Sequence, residues 1–258
     1  MEDINLNDLL EPLFKEAKDV DEFEFCCCIL RMRGSEGPGW DPLQESAKFI
    51  SQIASLIDAP IDNELKIRLS LLLYCHATEI DDVYLTIANL FRIIKGDRYG
   101  SAIFKKKDEE GKKIKYPSQK ISEIKKLAQD SKYENIPEVM EYFLEKEIRN
   151  AFYHSDYILY EDAFNIRNGA GVLMNGIIDP SVPLAWFMPK VRLGVEFSIE
   201  VINLIQKSIH SYRKEKVVNA RILQNEEIDP VLSTVNPKFG LSGFRSLTEE
   251  EKASMKKK

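Results

Sequence analysis

Residues 147–159 read EIRNAFYHSDYIL, and this short stretch changes character in its middle. Up to Phe152 the apolar residues follow helical spacing; from Tyr157 they alternate as in a strand. At the junction stand Arg149, Asn150 and His154. A helix turns about 100° per residue, so Asn150 and His154 share a face, and Glu147 lies on it too. Arg149 is five residues before His154, which puts its Cβ about 140° away. The long reach of a guanidinium, or a helix that ends before His154, would bring the two together. A symmetric pair of such helices around one groove would do the same. The trio is either a catalytic constellation or the polar end of a helix.

Working outward, a helix is expected over residues 135–152, with Pro137 in its first turn and Val139, Met140, Phe143, Leu144, Ile148, Ala151 and Phe152 on its apolar side. Beyond His154, the segments YILYEDAFNIR and VLMNGIID predict a small β-hairpin or pair of strands. A further helix is expected over about residues 190–214 and a last strand over 218–223. Upstream, Leu6, Leu9, Leu10, Leu13 and Phe14 form one helical face, and residues 20–32 another apolar segment. GSEGPGWDP at 34–42 breaks the pattern, and Asp41-Pro42 caps and opens the next helix. Apolar positions from Leu65 to Ile94 recur in threes and fours, predicting one long helix over about 63–94 with His76 in its stripe. KKKDEEGKKIK at 105–115 holds six lysines and three acids and reads as a charged loop or lid. Ser118 opens a short helix to about Gln129. The absence of βαβ alternation disfavours a doubly wound sheet. The expected fold is mainly α, a helical bundle with a small β element at about 157–190, in one domain over 1–244. Its core is at about 63–157, and residues 245–258 form a tail.

The 258 residues, 44% apolar and 30% charged, fit a globular chain with a substantial core. A net charge of −6 argues against a general nucleic-acid coat but leaves room for a local basic site. No apolar run approaches the roughly 18 residues of a membrane span, and the acidic opening MEDINLNDLLEPLF is unlike a signal peptide. A cytoplasmic protein with no membrane partner is expected. Cys26, Cys27, Cys28 and Cys75 lack zinc-knuckle spacing and read as buried reduced thiols.

The residue types at the junction suit a phosphodiester. Arginine offers a planar fork of donors to phosphate oxygens. Histidine moves a proton near neutral pH. Asparagine orients the ring or holds an oxygen. RNA supplies its own nucleophile, the 2′-hydroxyl, so no metal or cofactor is required. Spacing alone is a weak signal that many helices show by chance, and by itself it favours a helix-end histidine beside a surface arginine.

The string RNAFYH at the end of an amphipathic helix resembles the signature of the HEPN superfamily: Arg, four to six residues, His, with a small polar residue after the Arg. The resemblance covers about residues 63–157. It implies a small helical bundle, usually a homodimer whose motif helices meet in a cleft. It also implies metal-independent endoribonuclease activity of the kind found in toxins and antiviral systems, with RNA as substrate and an antitoxin or other regulator as partner. By position Arg149 and His154 match the motif pair and Asn150 its polar companion. Members partnered by nucleotidyltransferases tend to carry a Tyr two residues after the His; here Asp156 stands there and Tyr157 follows, which points to another branch. Some members are non-catalytic, so a binding or assembly module is the alternative.

Other residues carry weaker expectations. Glu79 and Glu147 are candidate cleft carboxylates, and Tyr153 and Tyr157, with Tyr160, are candidates to stack an unpaired base or to pack in the core. His76 either lines the cleft and orients His154 or is a buried histidine satisfied by Glu79. A metal held by His76, Glu79 and Asp82 is disfavoured, because nothing repeats the Glu-x-x-His pattern of metal-binding bundles. His210 reads as surface. Ser155-Asp156 beside His154 lacks a GxSxG elbow, and neither a Walker A loop nor a dinucleotide fingerprint is present.

Overall fold

The computed structural model describes residues 4–32, 41–105, 114–220 and 229–255. The charged stretch 106–113, most of GSEGPGWDP and residues 221–228 lie outside them. The described chain is mainly helical, with small antiparallel sheets. In chain order it runs α1 (Leu6–Val20), α2 (Glu22–Leu30), α3 (Pro42–Ile57), α4 (Asn63–Ala77), α5 (Asp81–Ile94), α6 (Pro117–Ala128), α7 (Asn135–Phe143) and α8 (Lys146–Tyr153). Five short strands follow: β1 (Tyr157–Leu159), β2 (Ala163–Ile166), β3 (Val172–Met174), β4 (Ile177–Asp179) and β5 (Ser181–Pro183). The chain closes with α9 (Leu184–Ser211), β6 (Val217–Ala220), β7 (Asp229–Asn236), β8 (Gly240–Ser246) and α10 (Glu249–Met255).

Local chemistry explains several starts. Asn5 accepts from the amides of Asn7 and Asp8 ahead of α1, and Asp41 accepts from Leu43 and Gln44 ahead of Pro42 and α3. The 28-residue α9 runs through the middle of the molecule, packing on α1, α2, α3, α4, α5 and α7. It buries Phe187, Val191, Phe197, Val201 and Ile205 among them. Gly194 stands where α9 crosses α4 and α7. A Cβ there would lie 3.1 Å from both the Tyr74 and the Phe143 rings.

Three helices differ from the sequence expectation. The stretch 63–94 is two helices, separated by an elbow of residues 78–80 where hydroxyls donate to the carbonyls that end α4. Thr78 Oγ1 donates to Tyr74 O (2.8 Å), Ser198 Oγ to Ala77 O (3.1 Å) and Tyr84 Oη to Thr78 O (2.8 Å). The stretch 135–152 is likewise split, into α7 and α8, by the hydroxyl of Tyr74. The last long helix starts at Leu184 rather than near 190 and contains Pro189. Buried Leu184 and Phe187 hold its first turn against the core, at the cost of the one hydrogen bond that proline cannot donate.

The β element after α8 forms as expected and has two parts. β1, β2 and β5 make one antiparallel sheet. β3 and β4 make a hairpin whose turn, Asn175-Gly176, has φ of 51° and 82°, the left-handed pair that a two-residue hairpin favours. The three-stranded sheet β6–β7–β8 was not expected beyond its first strand. It packs on α2 and α9. Within residues 245–258, Arg245 pairs with Glu251 (2.7 Å) at the start of α10.

Candidate functional site

The motif occupies α8, an eight-residue helix whose two ends are held differently. At the amino end, the buried Tyr74 hydroxyl enters the backbone ladder. It donates to Phe143 O (2.6 Å) and accepts from Glu145 N (2.8 Å), so α7 stops and α8 begins there. The Glu145 side chain pairs with Lys190 of α9. Lys190 is itself buried, 4.0 Å over the Trp186 ring and 4.8 Å over Tyr142. These groups set the start and direction of α8. Sequence reasoning missed Tyr74, Glu145 and Lys190, although a lysine inside the apolar run WFMPKVRLGV was a signal.

At the carboxyl end α8 closes as a Schellman motif. Asp156 N donates to Ala151 O (2.8 Å) and Ser155 N to Phe152 O (3.2 Å). Ser155 sits at φ 54°, where glycine is usual. The turn leaves His154 as the last residue of the helix end and aims the chain into β1. Asp156 then accepts from Asn168 Nδ2 (2.6 Å), and its carbonyl accepts from Arg167 N (2.9 Å).

The motif residues divide between two environments. Ile148, Arg149 and Ala151 face inward. Asn150, Tyr153 and His154 are exposed, and among the described residues the side chains of Asn150 and His154 take no hydrogen-bond partner. The Arg149 side chain is 6% exposed and pairs with Glu79 at the α4–α5 elbow, whose carboxylate is 42% exposed. Its Nε is buried without an acceptor. The Arg149 charge is felt at Tyr74 and Cys75, although burial dominates both and pushes the Cys75 thiol up to about 12. No hydrogen bond joins Arg149 to His154 among the described residues.

The remaining candidates fall as follows. Glu79 reaches Arg149, and Glu147 is half-buried beside Lys146 (3.8 Å). Tyr157 is stacked between Phe152 (5.5 Å) and Phe164 (4.7 Å), and its hydroxyl accepts from Arg68 (2.7 Å). That ring is packed, whereas Tyr153 is open to solvent. His76 does not pair with Glu79. Its ring lies edge-on to Phe49 at 4.6 Å, its Nε2 is buried without a partner, and burial lowers its pKa. Asp82 pairs with Arg31 (3.5 Å) and Asp81 with Lys120. Burial raises the Asp82 carboxyl against the pull of Arg31.

His76 and Glu79, with Leu43 and Ser46 of α3 and Asp81, line an open pocket of about 340 Å³. Glu79, the partner of Arg149, is part of its lining. Among the described residues no group of three or more His, Cys, Asp or Glu side chains is arranged to hold a metal ion, and no helix is long and apolar enough to cross a membrane. No family model, curated protein or solved structure matches the chain.

Proposed function

We propose that the chain is a HEPN-type, metal-independent endoribonuclease, with Arg149, Asn150 and His154 as its working residues. The observation that carries this is the exposure of His154 and Asn150 on one face of α8, side chains unpartnered, five residues or fewer from a buried arginine whose Nε has no acceptor. A histidine kept for structure is ordinarily buried and hydrogen-bonded; His154 is neither. In the reaction, His154 takes the proton of the RNA 2′-hydroxyl. The 2′-oxygen attacks the adjacent phosphorus, and the bond to the 5′-oxygen breaks. Arg149 stabilises the charge gathering on the phosphate oxygens, and Asn150 orients the ring or holds an oxygen. A second acid protonates the leaving 5′-oxygen, giving a cyclic phosphate and a free 5′-hydroxyl. A homodimer with two motif faces across one cleft supplies that acid from the second His154. The biological setting that fits is a toxin or phage-defence effector under an antitoxin or other regulator.

A second reading has its own observation. Arg149 is nearly fully buried and paired with Glu79, which suits a structural brace in a non-catalytic binding module. The two are separated by incubating total RNA with wild type and with His154→Ala in EDTA. Cleavage by wild type alone, leaving cyclic-phosphate ends, is the expected result. Absence of cleavage by a folded wild-type dimer across several RNA classes favours the binding module.

A further inference from the structure

Taking Arg149 as the phosphate-binding group of the proposed nuclease, we infer that Glu79 competes with the substrate phosphate for its guanidinium and so sets how tightly RNA is held. Three observations carry this. The guanidinium is paired with Glu79, and a phosphate oxygen needs the same fork of donors. The guanidinium is not saturated, since its Nε finds no acceptor, and an arginine has five donors to place. The two partners are also unequal in freedom. Arg149 is packed within the core at 6% exposure, while Glu79 stands at 42% in the elbow between two helices and lines the open 340 Å³ pocket.

Displacement therefore falls on the carboxylate. It can turn into the pocket and be rehydrated while Arg149 stays in place, so the exchange leaves no buried charge behind. An incoming phosphate takes the donors that Glu79 gives up, and its gain is reduced by the lost pair with Glu79. Whatever free energy joins Glu79 to Arg149 is subtracted from RNA binding, and removing the competitor returns it.

The test is binding of a fluorescein-labelled 2′-O-methyl oligoribonucleotide of mixed sequence, which cannot be cleaved, measured by anisotropy in low salt. Wild type, Glu79→Gln, Arg149→Ala and the double variant are compared, each with a thermal melt to verify folding. Gln keeps an acceptor for the buried guanidinium but gives up the charge. Glu79→Gln is expected to bind about five- to tenfold more tightly, with the gain absent in the Arg149→Ala background. If the Gln variant melts early, Glu79→Asp replaces it; the shorter side chain reaches the guanidinium less well and should tighten binding by a smaller factor. Unchanged or weaker binding by the folded Glu79 variant, with binding lost in Arg149→Ala, overturns the competition and leaves the nuclease reading standing. Arg149→Ala binding as tightly as wild type, or no binding by any of the four, removes both.

Discussion

The two ends of the eight-residue α8 are held in opposite ways. The amino end is fixed by a buried tyrosine hydroxyl, by the Glu145–Lys190 pair and by Arg149 on Glu79. The carboxyl end presents Asn150, Tyr153 and His154 to solvent, above a turn that rests on backbone hydrogen bonds. The difference assigns separate tasks to residues that the motif groups together. Arg149 is held by its surroundings, whereas the His154 side chain takes no hydrogen-bond partner among the described residues. Groups that act on a ligand need a rigid mount but an open face, and α8 has one of each.

Substituting the two motif residues separately tests this division most severely. His154→Ala and Arg149→Ala are each expected to reduce RNA cleavage by about 10²- to 10⁴-fold. Urea unfolding should tell them apart. His154→Ala should stay within about 0.5 kcal/mol of wild type, as exposed substitutions do. Arg149→Ala should lose about 1–2 kcal/mol. A broken buried pair can cost more than that, but Glu79 is left partly in water, which lowers the penalty. Equal stability losses would erase the distinction between the two ends.

The amino-end clamp has its own probe. Tyr74→Phe keeps the ring that packs on Phe187 at 5.7 Å but deletes the hydroxyl. Glu145 N then loses its acceptor and Phe143 O its donor. The expected loss is about 1–3 kcal/mol in urea unfolding. Cleavage should fall as well, because α8 starts from that hydroxyl. Wild-type stability in Tyr74→Phe would mean that water or a continued helix replaces the junction.

The carboxyl end should respond in the other direction. Ser155 adopts a left-handed conformation that costs an L-residue about 1–2 kcal/mol. Ser155→Gly relieves this but gives the unfolded chain more freedom. The net expectation is a gain of up to about 1 kcal/mol with cleavage unchanged. A loss would show that the serine side chain has a task that the turn geometry does not reveal.

What was legible from sequence followed the same division. Asn150 and His154 share a face by helical arithmetic alone, and the change of period at residues 154–157 correctly marked the end of the helix and the sheet beyond it. The caps at Asp41-Pro42 and the turn at Asn175-Gly176 are local chemistry, and local chemistry can be read from neighbours. The two helix breaks could not be. Residues 63–94 keep a helical period through 78–80, and the chain turns there, where Thr78, Ser198 and Tyr84 supply hydroxyls to its carbonyls. One of those donors, Ser198, is 121 residues from the carbonyl it serves. The α7–α8 junction likewise depends on Tyr74, distant in the chain and indistinguishable from an ordinary core aromatic. The partner of Arg149 was within reach, since Glu79 was a candidate, but its pairing with arginine rather than with His76 required the elbow.

The smallest effect concerns the wall beneath the clamped end. His76 follows Tyr74 and Cys75 on α4, with its Nε2 buried and unpartnered beside Phe49. Burial lowers its pKa below the ordinary imidazole value of about 6.5. The unfolded chain therefore takes up the proton first as pH falls. The stability that depends on a neutral His76 is fully present above the unfolded pKa and drains away as pH drops through the lowered folded one. His76→Gln removes the titration at similar size. Between about pH 7 and pH 5 its stability should fall less steeply than that of wild type, as measured by urea midpoints at several pH values. The chain's other two histidines, His154 and His210, are exposed and present in both proteins, so they cancel in the difference. Parallel curves would mean that the ring is hydrated in solution and that the α3–α4 contact at Phe49 is looser than the clamp above it. A flatter curve for His76→Gln would extend the rigid mount of α8 down through α4, making Arg149 the last fixed residue before the open face.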